Sequence, residues 1–257
     1  ICSLDASNGN LKWDANLDSY GNRAWVDRLR CTDQTIIVDL AKLILLINPH
    51  TGQILHELPG SEPPPFIEAS KNFFCVLHGF DQLQVFESGG KMINQLKLDG
   101  FAQEMLIHEN AVYVILDEVD VRLAAYSLPE LNVLWKTDVV KKNRSSLPEL
   151  RLHKDRLIIN LSECLHIYDI EAREHAWSLS EFSAYYGPII PAGNFLVVGN
   201  SSDLELLDFE TGEYLATFED NGFTPRVRLG NDEFVIMKRG KSGFGIVNQD
   251  QIESRIK

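Results

Sequence analysis

The stretch Leu46-Ile-Asn-Pro-His-Thr-Gly-Gln-Ile-Leu55 returns 160 residues later as Leu206-Leu-Asp-Phe-Glu-Thr-Gly-Glu-Tyr-Leu215. In both, two apolar runs flank a polar residue and a Thr-Gly pair, which is the pattern of a hairpin. Asn48 and Asp208 can cap the turn with their side chains, while Gly52 and Gly212 supply a positive-φ position. The same phrase opens the chain as Ile1-Cys-Ser-Leu-Asp-Ala-Ser-Asn-Gly-Asn-Leu-Lys-Trp13, with Gly9 in the glycine position. Weaker copies are Val85-Phe-Glu-Ser-Gly-Gly-Lys91, Ala125-Tyr-Ser-Leu-Pro-Glu-Leu-Asn-Val-Leu-Trp135 and Ile167-Tyr-Asp-Ile-Glu-Ala-Arg-Glu-His-Ala-Trp177. A degenerate one, Ile246-Val-Asn-Gln-Asp250, comes last.

Working outward, the polar markers are Asp5, Asn48, Glu87, Ser127, Asp169, Asp208 and Asn248. Their spacings are 43, 39, 40, 42, 39 and 40 residues, a mean of 40.5. That is the period of a four-stranded propeller blade. Between the markers lie short β-prone runs at 35–38, 72–76, 111–115, 156–159, 194–198 and 233–237, each after a polar or Gly-bearing turn. Each period therefore supplies an inner strand, a turn, a buried second strand and an outer hairpin. No stretch of 11 residues keeps a helical period. The expectation is an all-β chain, a β-propeller of about six four-stranded blades forming a single domain over residues 1–257.

Within the phrase, a Trp follows the marker by eight residues three times: Asp5 to Trp13, Ser127 to Trp135 and Asp169 to Trp177. Thr51-Gly52 and Thr211-Gly212 fall at +3 and +4, with Asn8-Gly9 as a variant. This pattern resembles the repeat of quinoprotein-like propellers of the pyrroloquinoline quinone (PQQ) type. The resemblance implies that each tryptophan docks its blade onto the neighbouring one. His56 and Ala216 take the Trp position in two copies, and the last copy has lost most of the pattern. WD40 repeats, the competing class, would show Trp-Asp or Gly-His at blade spacing, and neither is present.

Ring closure has two readings. Residues 11–17 could form the outermost strand of the blade containing Phe234 and Val247, closing six blades. Alternatively the chain, which begins inside a hairpin phrase, is part of a longer seven- or eight-bladed ring.

Lys+Arg number 24 against 37 Asp+Glu, a net charge of −13. That balance argues against nucleic acid, whose binders displace counterions with Lys and Arg, and against anionic lipid surfaces. Residues 40–47 form the longest nearly apolar run, far short of the roughly 20 that cross a bilayer. A soluble chain with no membrane insertion is expected. The compartment stays open: sequons at Asn143, Asn160 and Asn200 are too common a pattern to decide it. Cys2, Cys31, Cys75 and Cys164 have no metal-type spacing and read as small buried hydrophobes.

Catalytic signatures are absent. There is no GxSxG elbow, Walker loop or GxGxxG, and the histidines form neither HxH nor HxxxH. The acidic run 117–120 lacks calcium-loop spacing and reads as a solvated turn. Enzymes with the PQQ repeat hold their cofactor with a cysteine pair or stacking tryptophan and calcium with an acidic cluster. No such set stands here, so the resemblance extends to the fold and stops before the cofactor. No catalytic residue, metal ligand or cofactor is assigned.

Charged residues on the inner strands carry more interest: Asp27, Arg28, Arg30, Glu68, Glu104, Glu149, Arg151, Arg226 and Arg228. Mutual pairing across a channel is the plain expectation. The sharper one takes Arg28, Glu104, Arg151 and Arg226 with the aromatics Trp25, Tyr185 and Tyr186 as a binding face, since aromatic and Arg anchors make hot spots. The Pro-rich segment 59–65 and the basic loop 141–148 are further candidate contacts. The function expected is a non-catalytic scaffold that docks a protein or peptide partner. Propellers of this type include an outer-membrane assembly lipoprotein. The alternative is a lactonase- or cyclotransferase-like enzyme, which would need Glu68, Glu104 and Glu149 to converge.

Overall fold

A computed structural model describes residues 1–17, 20, 26, 28–40, 42–61, 66–117, 120–141, 148–161, 164–180, 189–199, 203–219, 223–229, 233–238 and 244–248. For 120, 139–141, 203–204, 218–219 and the strands beyond 222 the description is of backbone alone. Every regular element among them is a strand apart from a 3-10 position at Tyr20. No helix is long and apolar enough to cross a membrane.

The first phrase forms a hairpin, β1 (Cys2–Leu4) with β2 (Leu11–Asp14). Three four-stranded meanders follow: β3 (Arg28–Cys31), β4 (Ile36–Asp39), β5 (Leu43–Ile47), β6 (Ile54–Pro59); β7 (Phe66–Ala69), β8 (Phe73–His78), β9 (Gln82–Glu87), β10 (Met92–Lys97); and β11 (Phe101–His108), β12 (Ala111–Asp117), β13 (Asp120–Ser127), β14 (Val133–Lys141). Two more are β15 (Glu149–His153), β16 (Arg156–Asn160), β17 (Cys164–Asp169), β18 (Glu174–Ser180) and β19 (Ile189–Ala192), β20 (Phe195–Gly199), β21 (Asp203–Asp208), β22 (Tyr214–Glu219). The last sheet has three strands, β23 (Phe223–Leu229), β24 (Glu233–Lys238) and β25 (Phe244–Asn248). The strand order inside each meander is the one expected. β2 pairs with β1, so the first phrase forms its own hairpin. The chain divides into two compact units, Ile1–Lys142 and Asn143–Lys257.

The second strands are buried on both faces, as their continuous apolar runs require. In β8, Phe74 and Val76 meet Ile37, Ile44 and Leu46 of the preceding sheet. Their neighbours Cys75 and Leu77 meet Ala102, Met105, Val112 and Val114 of the following one. In the second unit, Ile158, Leu165 and Ile167 pack on Ile189, Leu196, Val198 and Phe209. Each such side chain contributes about 1.5–3 kcal/mol on burial. Outer strands alternate between exposed and half-buried positions instead.

The phrase folds as its chemistry dictates. Asn48 Oδ1 accepts from the amides of His50 and Thr51 at 2.8 and 3.1 Å, and Asp208 Oδ1 from those of Glu210 and Thr211 at 2.9 and 2.8 Å. The residue four after the marker donates its amide back to the marker carbonyl with φ near +72° at Gly52 and +73° at Gly212. Leu131 and Arg173 adopt the same left-handed conformation without being glycine.

The six outer hairpins among the described residues also carry a β-bulge at one fixed place. On the outer strand, Lys12, Leu55, Ile93, Leu134, Ala176 and Leu215 are the extra residues, each immediately before the docking position. A bulge re-aims the side chain that follows it. Thus Trp13, on β2, donates Nε1–H to the Pro49 carbonyl at 2.8 Å and lies over Gly52, where an added Cβ would sit 2.6 Å from the indole. Trp177 repeats the arrangement on Phe209 O at 3.0 Å and Gly212 at 2.7 Å. The docking role implied by the repeat resemblance is met at both seams. The cysteine expectation holds only for Cys75, whose thiol burial pushes to a higher pKa; Cys2 and Cys31 are exposed and Cys164 is half-buried.

Candidate functional site

The inner strand β3, Arg28-Leu-Arg-Cys31, alternates, so its two arginines share one face. In the first unit this brings Arg28 and Arg30 of β3 toward β7. Arg30 donates to Glu68 Oε1 through Nε at 3.0 Å and Nη2 at 2.5 Å. The Glu68 hydrogen bond raises the Arg30 pKa against the opposing effect of burial, and the Glu104 charge adds to the rise. The structure therefore groups Arg30, Glu68 and Glu104, with Glu104 Oε1 also accepting from the Met105 amide at 3.1 Å.

Arg28 behaves differently. Its guanidinium lies over the Phe66 ring, 4.3 Å from the centroid, and forms no ion pair among the described residues. Asp39, opposite it in register, is fully buried.

In the second unit, Arg151 pairs with Glu149 two residues away on the same strand, through Nε at 2.9 Å and through Nη2. Trp25, Tyr185 and Tyr186 lie outside the described residues, as do 62–65 and 142–147 of the two loops. Arg226 is on β23, and its side chain lies outside the description as well. Of the three carboxylates an enzyme would need, Glu68 and Glu149 are engaged by arginines. No three His, Cys, Asp or Glu side chains among the described residues are placed to hold a metal ion.

Two features were not anticipated. First, His166 Nδ1 and His175 Nε2 are 2.9 Å apart, one ring donating to the other. His166 is buried, and its Nε2 has no hydrogen-bond partner among the described residues. Burial first, then the neighbouring His175 charge, pushes the His166 imidazole down to about 4. The pair is nine residues apart across a bulged hairpin, a spacing that no linear motif captures.

Second, the end of the first unit where β7 and β11 begin exposes aromatics. Phe80, in the β8–β9 turn, has φ +71° and is 37% exposed; Phe101, the first residue of β11, is 64% exposed. The Ala102 amide donates to the Phe80 carbonyl at 2.7 Å, tying the two together. A signal was available: both follow glycine, in Gly79-Phe80 and Gly100-Phe101, where an aromatic falls beside a turn.

No family model matches the chain, and neither does any curated protein. Among solved structures it is similar to BamB from Moraxella catarrhalis, with TM-score 0.63 and 13% identity over 92% of this chain and 75% of that one. It is similar also to Hsv2 from Kluyveromyces lactis with complete loop 6CD, with TM-score 0.57 and 10% identity over 86% of this chain and 72% of that one. The same protein with loop 6CD replaced by a Gly-Ser linker gives TM-score 0.56 at 10% identity, over 86% and 76%. These are β-propellers, and the fold of this chain is a β-propeller.

Proposed function

We propose that residues 1–257 form one β-propeller domain of quinoprotein-like repeat type that acts as a non-catalytic scaffold. It docks a peptide or partner domain on one face, with Arg28, Glu104, Arg151 and Arg226 and the aromatics Trp25, Tyr185 and Tyr186 as the proposed contacts. The observation that carries this reading is the contrast at the inner strands. The charges that chemistry would need are neutralised in pairs, Arg30 with Glu68 and Arg151 with Glu149, while apolar side chains at the strand starts face solvent. Paired ions at a partly exposed site add little affinity or reactivity of their own. Exposed aromatic surface beside arginine is what interfaces use.

The test immobilises the full chain, cross-links it in extract, and identifies what is retained by mass spectrometry. Saturable retention of one partner, displaced by free chain, supports the scaffold reading. Retention of nothing overturns it. Turnover of a lactone panel that disappears in Glu104→Gln would install the enzyme reading instead.

A further inference from the structure

We infer that the Arg28–Phe66–Phe80–Phe101 end of the first unit is a docking site for an extended peptide segment carrying a carboxylate next to apolar side chains. This rests on the scaffold reading and names the chemistry of its partner.

Arg28 and Arg30 stand two residues apart on β3, yet among the described residues Arg30 has an anion and Arg28 has none. Phe66 holds the Arg28 guanidinium by a cation–π contact, and among the described residues no carboxylate pairs with it. Among the described acids at this end, Asp39 lies opposite Arg28 but is fully buried, Asp81 is held by Lys97 at 3.7 Å, Asp99 by Lys136 at 2.5 Å, and Asp117 by Gln103 at 2.5 Å. In a protein of net charge −13, an arginine stacked on a ring and without an ion pair among the described residues is complementary there to an anion, against the overall sign. A planar fork of this kind matches a carboxylate bidentately.

Phe66 and Phe101 open successive inner strands, and Phe80 lies in the turn at the same end of the meander; Phe66 is the ring in contact with Arg28. Phe80 holds a left-handed φ of +71°, which a bulky aromatic adopts only where the surroundings impose it. The Ala102–Phe80 hydrogen bond ties this turn to the start of β11, and both phenylalanines are exposed there. An extended peptide alternates its side chains, so a carboxylate can meet Arg28 while its alternate residues meet the rings.

The test pans a phage-displayed random dodecapeptide library against the full chain. Enriched sequences are then made as fluorescein-labelled peptides, and their affinities are read by anisotropy. The expected peptides carry Asp or Glu within two residues of Leu, Ile or Phe. Arg28→Gln should weaken binding about tenfold, the loss of one charge-assisted contact, and Phe101→Ser by a similar factor. Converting the peptide carboxylate to its amide should reproduce the Arg28→Gln loss and add nothing in that variant. Arg122→Gln, whose side chain pairs with Asp138 elsewhere, should bind as the parent does. Unchanged thermal melting of each variant establishes that the fold is intact.

Enrichment of Lys- or Arg-rich peptides overturns the inference, as does binding indifferent to both Arg28→Gln and Phe101→Ser. In the latter case peptides dock elsewhere and the scaffold reading survives alone. An empty panning result also overturns the inference, and joined to empty cross-linking it removes both.

Discussion

Two kinds of seam join successive sheets within the units. At one kind, Trp13 over Gly52 and Trp177 over Gly212, an indole covers the next turn and donates to the carbonyl one residue after the marker. At the other, His56 and Asn94 occupy the same position. His56 faces Gly90, whose added Cβ would lie 2.4 Å from Leu46 Cδ1 and 3.2 Å from the His56 ring. Asn94 donates to the carbonyls of Pro129 and Glu130, at 3.4 and 2.7 Å. The bulge and the left-handed turn residue are kept in both kinds, while the docking side chain changes. The seam is thus defined by backbone geometry, and its filler varies with local packing. Where His56 is the filler, the stacked Phe74 and Phe86, 4.8 Å apart, supply aromatic surface nearby.

The comparison can be broken most severely at Trp13, which is almost fully buried. Trp13→Ala should cost roughly 3–5 kcal/mol, the range for deleting a buried aromatic. Urea unfolding would measure it, and a loss under 1 kcal/mol would mean the indole is not what holds the hairpin.

Next in size is Gly212→Val, at roughly 2–4 kcal/mol, from strain at positive φ plus the clash with Trp177. A double-mutant cycle sharpens this: in a Trp177→Ala background the steric part should vanish, leaving about 1 kcal/mol of backbone strain.

The hairpin bearing Trp177 also bears the His166–His175 pair, which offers a pH test. The unfolded imidazole titrates near 6.5 and the folded His166 near 4, so between these values only the unfolded chain takes up the proton. Stability should therefore be full above pH 6.5 and fall as the pH is lowered towards 4, by up to about 3 kcal/mol. Urea midpoints at pH 7 and pH 4.5 would reveal it, and His166→Leu should flatten the difference.

The smallest effect is expected at His56→Ala, under about 1 kcal/mol, because the ring is solvent-exposed. A cost equal to that of Trp13→Ala would erase the distinction between the two kinds of seam.

Much of this fold was legible because its determinants are local. Asn48, Asp208, Gly52 and Gly212 act within five residues, and the period they mark needs no knowledge of contacts. The bulges were not legible, since Lys12, Leu55 or Ala176 carries no residue signature; only the register of two paired strands reveals an extra residue. The candidate site divides along the same line. Placing Arg28 and Glu104 on inner strands followed from the repeat, but the partition of partners did not. That Arg30 takes Glu68 while Arg28 rests on Phe66 depends on through-space distances. Phe80 and Phe101 were hidden for a related reason: an aromatic in a strand reads as core until its end of the strand is known to face water.

The recurrent bulge also bears on how these molecules avoid one another. Every meander ends in a strand whose outer rim offers unpaired amides and carbonyls, and those rims carry Met92, Val133, Leu134 and Tyr214, all about half exposed. Such rims are templates for intermolecular strand pairing. A kink one residue before each docking position interrupts the flat ladder that a second chain would need to extend. The device that aims the tryptophan inward therefore also limits edge-to-edge aggregation. Straightening it, by deleting the bulged Leu134 for instance, should turn a seam residue into a nucleus for fibrils.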